Sequence, residues 1–97
     1  MDRDVVIATL REHEAEIRAL GVDALYLYGS VARGEAGPDS DVDLYCEYSR
    51  SDFSLLTLAR VRDRLTRWLG RAVDLSTRDG LHPYLRPRIL RTAMRVM

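Results

Sequence analysis

The sequence predicts an α+β fold, a small mixed β-sheet of about three strands backed by helices, and three observations carry that prediction. Two stretches repeat apolar residues at helical spacing, three short runs have the length and composition of strands, and glycine and proline punctuate the joins. The element order is helix, strand, strand, helix, strand, helix, with no repeat, linker or low-complexity tract between them. At 97 residues the chain can bury one core but not several lobes, so residues 1–97 are expected to form a single domain.

From Asp2 to Leu20, the residues Val6, Leu10, His13, Ile17 and Leu20 recur at intervals of four and three, the period of one helical face. Arg11, Glu12, Glu14, Glu16 and Arg18 fill the solvent side, and Gly21 supplies a C-terminal stop. His13 falls on the apolar side with no second histidine or cysteine spaced to join it as a ligand, so it reads as a packed side chain. Ala24 to Tyr28 is a short Leu/Tyr run that ends at Gly29, a buried strand leading into a glycine-serine turn and a short helical turn. The second strand, Val42 to Tyr48, follows the turn-forming Gly37-Pro38-Asp39-Ser40. Alternation puts Asp41, Asp43, Tyr45 and Glu47 on one face and Val42, Leu44, Cys46 and Tyr48 on the other.

Between Ser51 and Gly70 the period turns helical again: Ser51 or Asp52 is placed to cap, and Leu58, Val61, Leu65 and Trp68 form the inner face. Arg60, Arg64, Arg67 and Arg71 make a second stripe about 200° away, which suits a solvated surface or a docking surface for an acidic partner or RNA. Ala72 to Ser76 is a third strand with Asp74 at its centre, and Leu85 to Met97 reads as a final helix with Pro87 in its first turn.

Fifteen arginines balance fifteen acidic residues, so net charge gives no general pull toward nucleic acid or a membrane surface. The sequence has no lysine, which reads as codon bias in a GC-rich genome rather than as a functional demand for guanidinium. One cysteine, Cys46, has no partner for an internal disulfide and reads as a small buried hydrophobe. No apolar run nears the roughly 20 residues that span a bilayer. The N-terminus lacks a signal-peptide pattern, so a cytoplasmic location is expected.

The chemistry is concentrated between Leu25 and Glu47. Gly29 and Ser30 offer a backbone that phosphate can approach closely, because glycine has no side chain to obstruct it. Asp41 and Asp43, at i and i+2 on a strand, project from one face with Cα atoms roughly 6.5 Å apart. Two bare carboxylates so close raise each other's pKa, and a bound cation removes that conflict. The donors are hard oxygens with no histidine or cysteine beside them, which points to Mg²⁺, with Mn²⁺ as the other option, rather than zinc. Mg²⁺ commonly completes its shell with water and substrate phosphates, and the Gly-Ser turn lies upstream to hold those phosphates. Asp74, as a third carboxylate, allows two metals about 4 Å apart. Asp39, just after Pro38, and Asp79, beside Gly80, are weaker rivals because both fall in turns.

The run GSVARGEAGPDSDVDL, with VDL downstream at Val73-Asp74-Leu75, resembles the signature of the DNA polymerase β-type nucleotidyltransferase superfamily. At this length the chain is similar to its minimal members, the MNT proteins, over nearly its whole extent, including the tail YLRPRILRTAM. The resemblance implies that Gly29 and Ser30 hold a triphosphate, that Asp41 and Asp43 bind the metals, and that Asp74 binds the catalytic metal and helps deprotonate the acceptor hydroxyl. Arg33 fits the family's ARG element and either contacts the phosphates or pairs with Glu35. Ser40 either bonds a phosphate or caps its turn. The resemblance also implies ATP as substrate and a HEPN-domain RNase toxin as partner in a hetero-oligomer, neutralised by transfer of AMP onto a toxin tyrosine. Two other functions remain open at this point: an antitoxin that masks its toxin by contact alone, and a nucleotidyltransferase acting on a small molecule such as an aminoglycoside. Template-directed polymerisation does not fit, since the chain has no room for fingers or thumb and no net positive groove.

Overall fold

The strands bearing Tyr28, Asp43 and Asp74 lie side by side in the computed structural model, which describes residues 2–97. The elements run α1 (Arg3–Glu12), α2 (Glu14–Ala19), β1 (Ala24–Tyr28), α3 (Gly29–Arg33), β2 (Val42–Glu47), α4 (Leu55–Leu69), β3 (Val73–Thr77), α5 (Arg86–Thr92) and β4 (Met94–Arg95). The sheet has the order β3-β2-β1-β4, with β2 and β3 parallel and the other two pairs antiparallel. The parallel pair requires a crossover, and α4 supplies it.

Period two decides which side of the sheet is packed. Leu25 and Leu27 of β1, Val42, Leu44 and Cys46 of β2, and Val73 and Leu75 of β3 join one core with Val6 and Leu10 of α1, Ile17 of α2, and Val61, Leu65 and Leu69 of α4. The intervening residues Tyr26, Tyr28, Asp43 and Glu47 are half-buried and Asp74 is exposed. Tyr45 departs from this alternation. It is buried although it faces away from that core, because the Tyr26 ring stacks on it at 4.6 Å and Tyr28 tilts against it at 6.2 Å.

Four expectations are corrected. The sheet has four strands rather than three, because the tail does not stay helical to Met97: α5 stops at Thr92, Ala93 turns extended, and Met94–Arg95 pairs with Tyr26 and Leu27. The first helix is broken at His13, whose backbone leaves the helical range while its ring stacks on Trp68 at 4.0 Å, a packing role. Helix α4 begins later than Ser51 or Asp52. Ser54 caps it, accepting from the Thr57 amide while the Thr57 hydroxyl accepts from the Ser54 amide. Arg71 leaves the outer stripe altogether, since Gly70 ends the helix in the left-handed region and turns the chain inward. Arg60, Arg64 and Arg67 do face solvent. Cys46 is fully buried, and burial pushes its thiol up to about 11, consistent with a packed hydrophobe. No helix among the described residues is long and apolar enough to cross a membrane.

Candidate active site

Register brings one member of the Asp41-Asp43 pair beside the third carboxylate. Asp43 pairs with Asp74 across the parallel β2–β3 ladder and with Tyr28 across the antiparallel β1–β2 ladder. Residues paired across a ladder share a face, so Tyr28, Asp43 and Asp74 form a row at one end of the sheet with strands about 4.8 Å apart. Asp41 stands just before β2, exposed, two residues from Asp43.

The row is under electrostatic tension. Burial raises the Asp43 carboxyl above its ordinary range, the negative charges of Asp74 and Asp41 raise it further, and Arg33 draws it back. The Tyr28 phenol is pushed up by burial and then by the negative charges of Asp43 and Asp74, while the Ser76 hydroxyl counters. Hard oxygen donors that repel one another are the donor set a divalent cation satisfies, so Asp41, Asp43 and Asp74 fit such an ion chemically. Among the described residues, no three histidine, cysteine, aspartate or glutamate side chains form a metal cage by themselves. Magnesium is ordinarily held by one or two carboxylates together with water and phosphate oxygens.

Gly29 is fixed by this row. Its φ of 76° is a backbone state that side chains disfavour, and a Cβ built there would overlap the Asp43 carboxylate oxygen and lie 3.0 Å from its Cγ. The glycine therefore makes room for Asp43 as well as opening α3. Ser30 is half-buried in the first turn of α3, and Tyr28 at the cap position provides no side-chain acceptor for the amides of that turn.

The remaining candidates divide. Arg33 donates to Glu35 at 2.9 Å, one of its two expected roles, yet its charge also reaches Asp43, so it belongs to the neighbourhood of the row. Ser40 accepts from the Gly37 amide at 2.9 Å, which is the turn role. Asp39 lies exposed in the same turn, and the backbone of Asp79 accepts from Arg86, so neither rival joins the site.

Residues outside the sequence reading also appear. A cleft of about 540 Å³ opens beside Gly29, walled by Tyr28 and Arg33 on one side and by Leu85, Arg88 and Thr92 from the start and body of α5 on the other. Arg88 and Thr92 are contained in the tail motif but had no reason to be singled out before the tail's path was known. Arg71 reaches the loop before Asp41, where its Nη2 donates to the carbonyls of Gly37, at 3.2 Å, and Ser40.

Comparisons with known proteins find relatives over most of the chain. A family model described as nucleotidyltransferase domain matches residues 10–95. A protein of Methanocaldococcus jannaschii, provisionally assigned as a protein adenylyltransferase, is 39% identical over 79% of this chain and 82% of its own length. Protein adenylyltransferase MntA of Thermococcus cleftensis is 34% identical over 90% of this chain and 88% of its own. A solved structure provisionally assigned as a minimal nucleotidyltransferase superposes with a TM-score of 0.82 at 36% identity, covering 97% of this chain and 95% of that one. The fold alone is shared, at 16% identity and a TM-score of 0.60, with a complex of a tri-AMPylated Shewanella oneidensis HEPN toxin and its MNT antitoxin, over 90% of this chain and 71% of that one.

Proposed function

The chain belongs to the nucleotidyltransferase-domain family, and from that membership and the acidic row we propose that it is a cytoplasmic protein adenylyltransferase that neutralises a HEPN-domain RNase toxin. The proposed reaction moves AMP from ATP to a toxin tyrosine: the phenolic oxygen bonds to the α-phosphorus, the bond to the β-phosphate oxygen breaks, and pyrophosphate departs with the electron pair. The phenolic proton passes to Asp74, which borders the row on the exposed side. Asp41 and Asp43 would hold Mg²⁺, with Asp74 completing the site for a second ion, and the ions when bound neutralise charge on the phosphates. Gly29 and Ser30 hold the triphosphate through backbone amides, and Arg33 and Arg88 line the cleft in which it would lie.

The observation that carries this reading is the direct pairing of Asp43 with Asp74 beside a glycine whose positive φ and contact with the Asp43 carboxylate penalise any side chain. The relatives named as adenylyltransferases and the HEPN complex of the same fold support the choice of acceptor. The test is incubation with ATP labelled in its α-phosphate, Mg²⁺ and the product of the neighbouring gene, assayed as the HEPN-domain toxin. Label should appear on the toxin and vanish with Asp41→Ala and with Asp43→Ala. Toxin that is neutralised equally well by both variants, with no label transferred, would refute enzymatic action in favour of masking by contact.

A further inference from the structure

We propose that Arg71 is a positioning residue that fixes the Asp41 carboxylate relative to Asp74, an inference that rests on the metal-dependent nucleotidyl transfer argued above. Asp41 precedes β2 and lies outside the sheet ladder, so strand pairing alone does not fix the peptide groups from which its side chain projects. Both peptide groups that flank it are nevertheless tied to one short segment. On one side the carbonyl of Ser40 accepts from Arg71 Nη2, and on the other the amide of Val42 donates to the carbonyl of Ala72 at 2.9 Å. The same Arg71 nitrogen reaches the Gly37 carbonyl at 3.2 Å, and Ser40 closes the turn through its own hydroxyl and amide, both bonded to Gly37. Arg71 and Ala72 lead directly into Val73 and Asp74.

The arrangement works as a ruler. The residues that clamp Asp41 are those that immediately precede Asp74, so the spacing between the first and third carboxylates is set by a few covalent bonds and hydrogen bonds rather than by distant packing. A guanidinium suits the task because it stays charged and its geometry is rigid, so one nitrogen can serve two carbonyls at once. Arg71 touches no reacting atom, and its effect on chemistry passes through Asp41.

The test reads metal binding without turnover. The protein is mixed with a non-hydrolysable ATP analogue, and Mn²⁺ binding is followed by electron paramagnetic resonance for wild type, Arg71→Met, Arg71→Lys and the exposed control Arg67→Met. Loss of a group that orients a metal ligand typically weakens metal affinity by about ten- to a hundredfold. Arg71→Met should show such a loss and need correspondingly more Mg²⁺ for half-maximal transfer, with analogue binding in the absence of metal unchanged. Arg71→Lys should recover part of the affinity, and Arg67→Met should match wild type. Should Arg71→Met fail to fold, the intermediate affinity of Arg71→Lys carries the test. Wild-type affinity in Arg71→Met, or in Arg71→Lys if Met does not fold, overturns the positioning role alone. A wild-type protein that binds no Mn²⁺ with the analogue overturns the functional reading and this proposal together.

Discussion

Replacing Gly29 by alanine adds one methyl group and tests two separate effects at one position. The first is conformational: φ is 76°, and holding a non-glycine residue in the left-handed region costs about 1–2 kcal/mol. For a domain of this size each kcal/mol lowers the melting temperature by roughly 4–8 °C, so strain alone predicts a fall of about 4–16 °C. The second effect is steric and falls on Asp43, whose carboxylate occupies the space the methyl needs. That side chain must rotate away, and the row loses its central donor. Loss of one metal ligand should lower transfer at least about a hundredfold, equivalent to about 2.7 kcal/mol of barrier. Gly34 separates the two effects, because its φ is 73° and nothing lies within 4 Å of the position a Cβ would take. Gly34→Ala should therefore melt lower by a similar amount while retaining near wild-type transfer below its melting temperature. Calorimetry and the labelled-ATP assay, run on both variants at one temperature below both transitions, provide the comparison. Equal activity of Gly29→Ala and Gly34→Ala would refute the link between the glycine and the carboxylate.

Other perturbations have equally definite signs. The Asp43 pKa is raised by burial, Asp74 and Asp41, so the folded state favours its protonated form, and this contribution to stability is present below the ordinary aspartate pKa and lost as pH rises through the raised value. Asp43→Asn should accordingly raise the melting temperature of the metal-free protein at pH 7 while abolishing transfer; a lowered melting temperature contradicts the electrostatic account. Because a bound cation offsets the charges that raise the Asp43 pKa, the acid limb of the rate profile should move to lower pH as Mg²⁺ is increased; a limb that does not respond to Mg²⁺ contradicts metal binding at this carboxylate. Ser54→Ala removes the cap of α4 and should cost about 1 kcal/mol, measured by denaturant titration, with no change in transfer. Leu65→Ala, fully buried between α4 and the sheet, should cost about 2–5 kcal/mol by the same method.

Much of the site could be read from the residues because it depends on local spacing. The Gly-Ser turn after an apolar strand is a property of a short segment, and the structure keeps it; Asp43 stands on β2, whereas Asp41, expected on the same strand, falls just before it. The juxtaposition of Asp43 and Asp74 follows from parallel register across a crossover, a pairing suggested only by the motif resemblance and not by any local pattern. Arg71 was legible only as a member of a helical stripe, because its departure depends on Gly70 ending the helix one residue earlier. The tail failed for a related reason. Ile89, Leu90, Ala93, Met94, Val96 and Met97 have enough apolar character for a helix, but Met94 and Arg95 find a free edge of β1, and ladder hydrogen bonds there outweigh local propensity. Cap choice at α4 was likewise decided by the reciprocal pairing of Ser54 with Thr57, a polar signal weaker in the sequence than the serine and aspartate just before it.

The parallel pairing of β2 with β3 also has a bearing on biosynthesis. A nascent chain leaving the ribosome presents Asp41 and Asp43 first, and Asp74 follows about thirty residues later, after the whole of α4. Closing that separation costs loop entropy before any ladder bond repays it. Translation intermediates that end within α4 therefore carry two acidic side chains without the third, and the acidic row is assembled only once the crossover has docked.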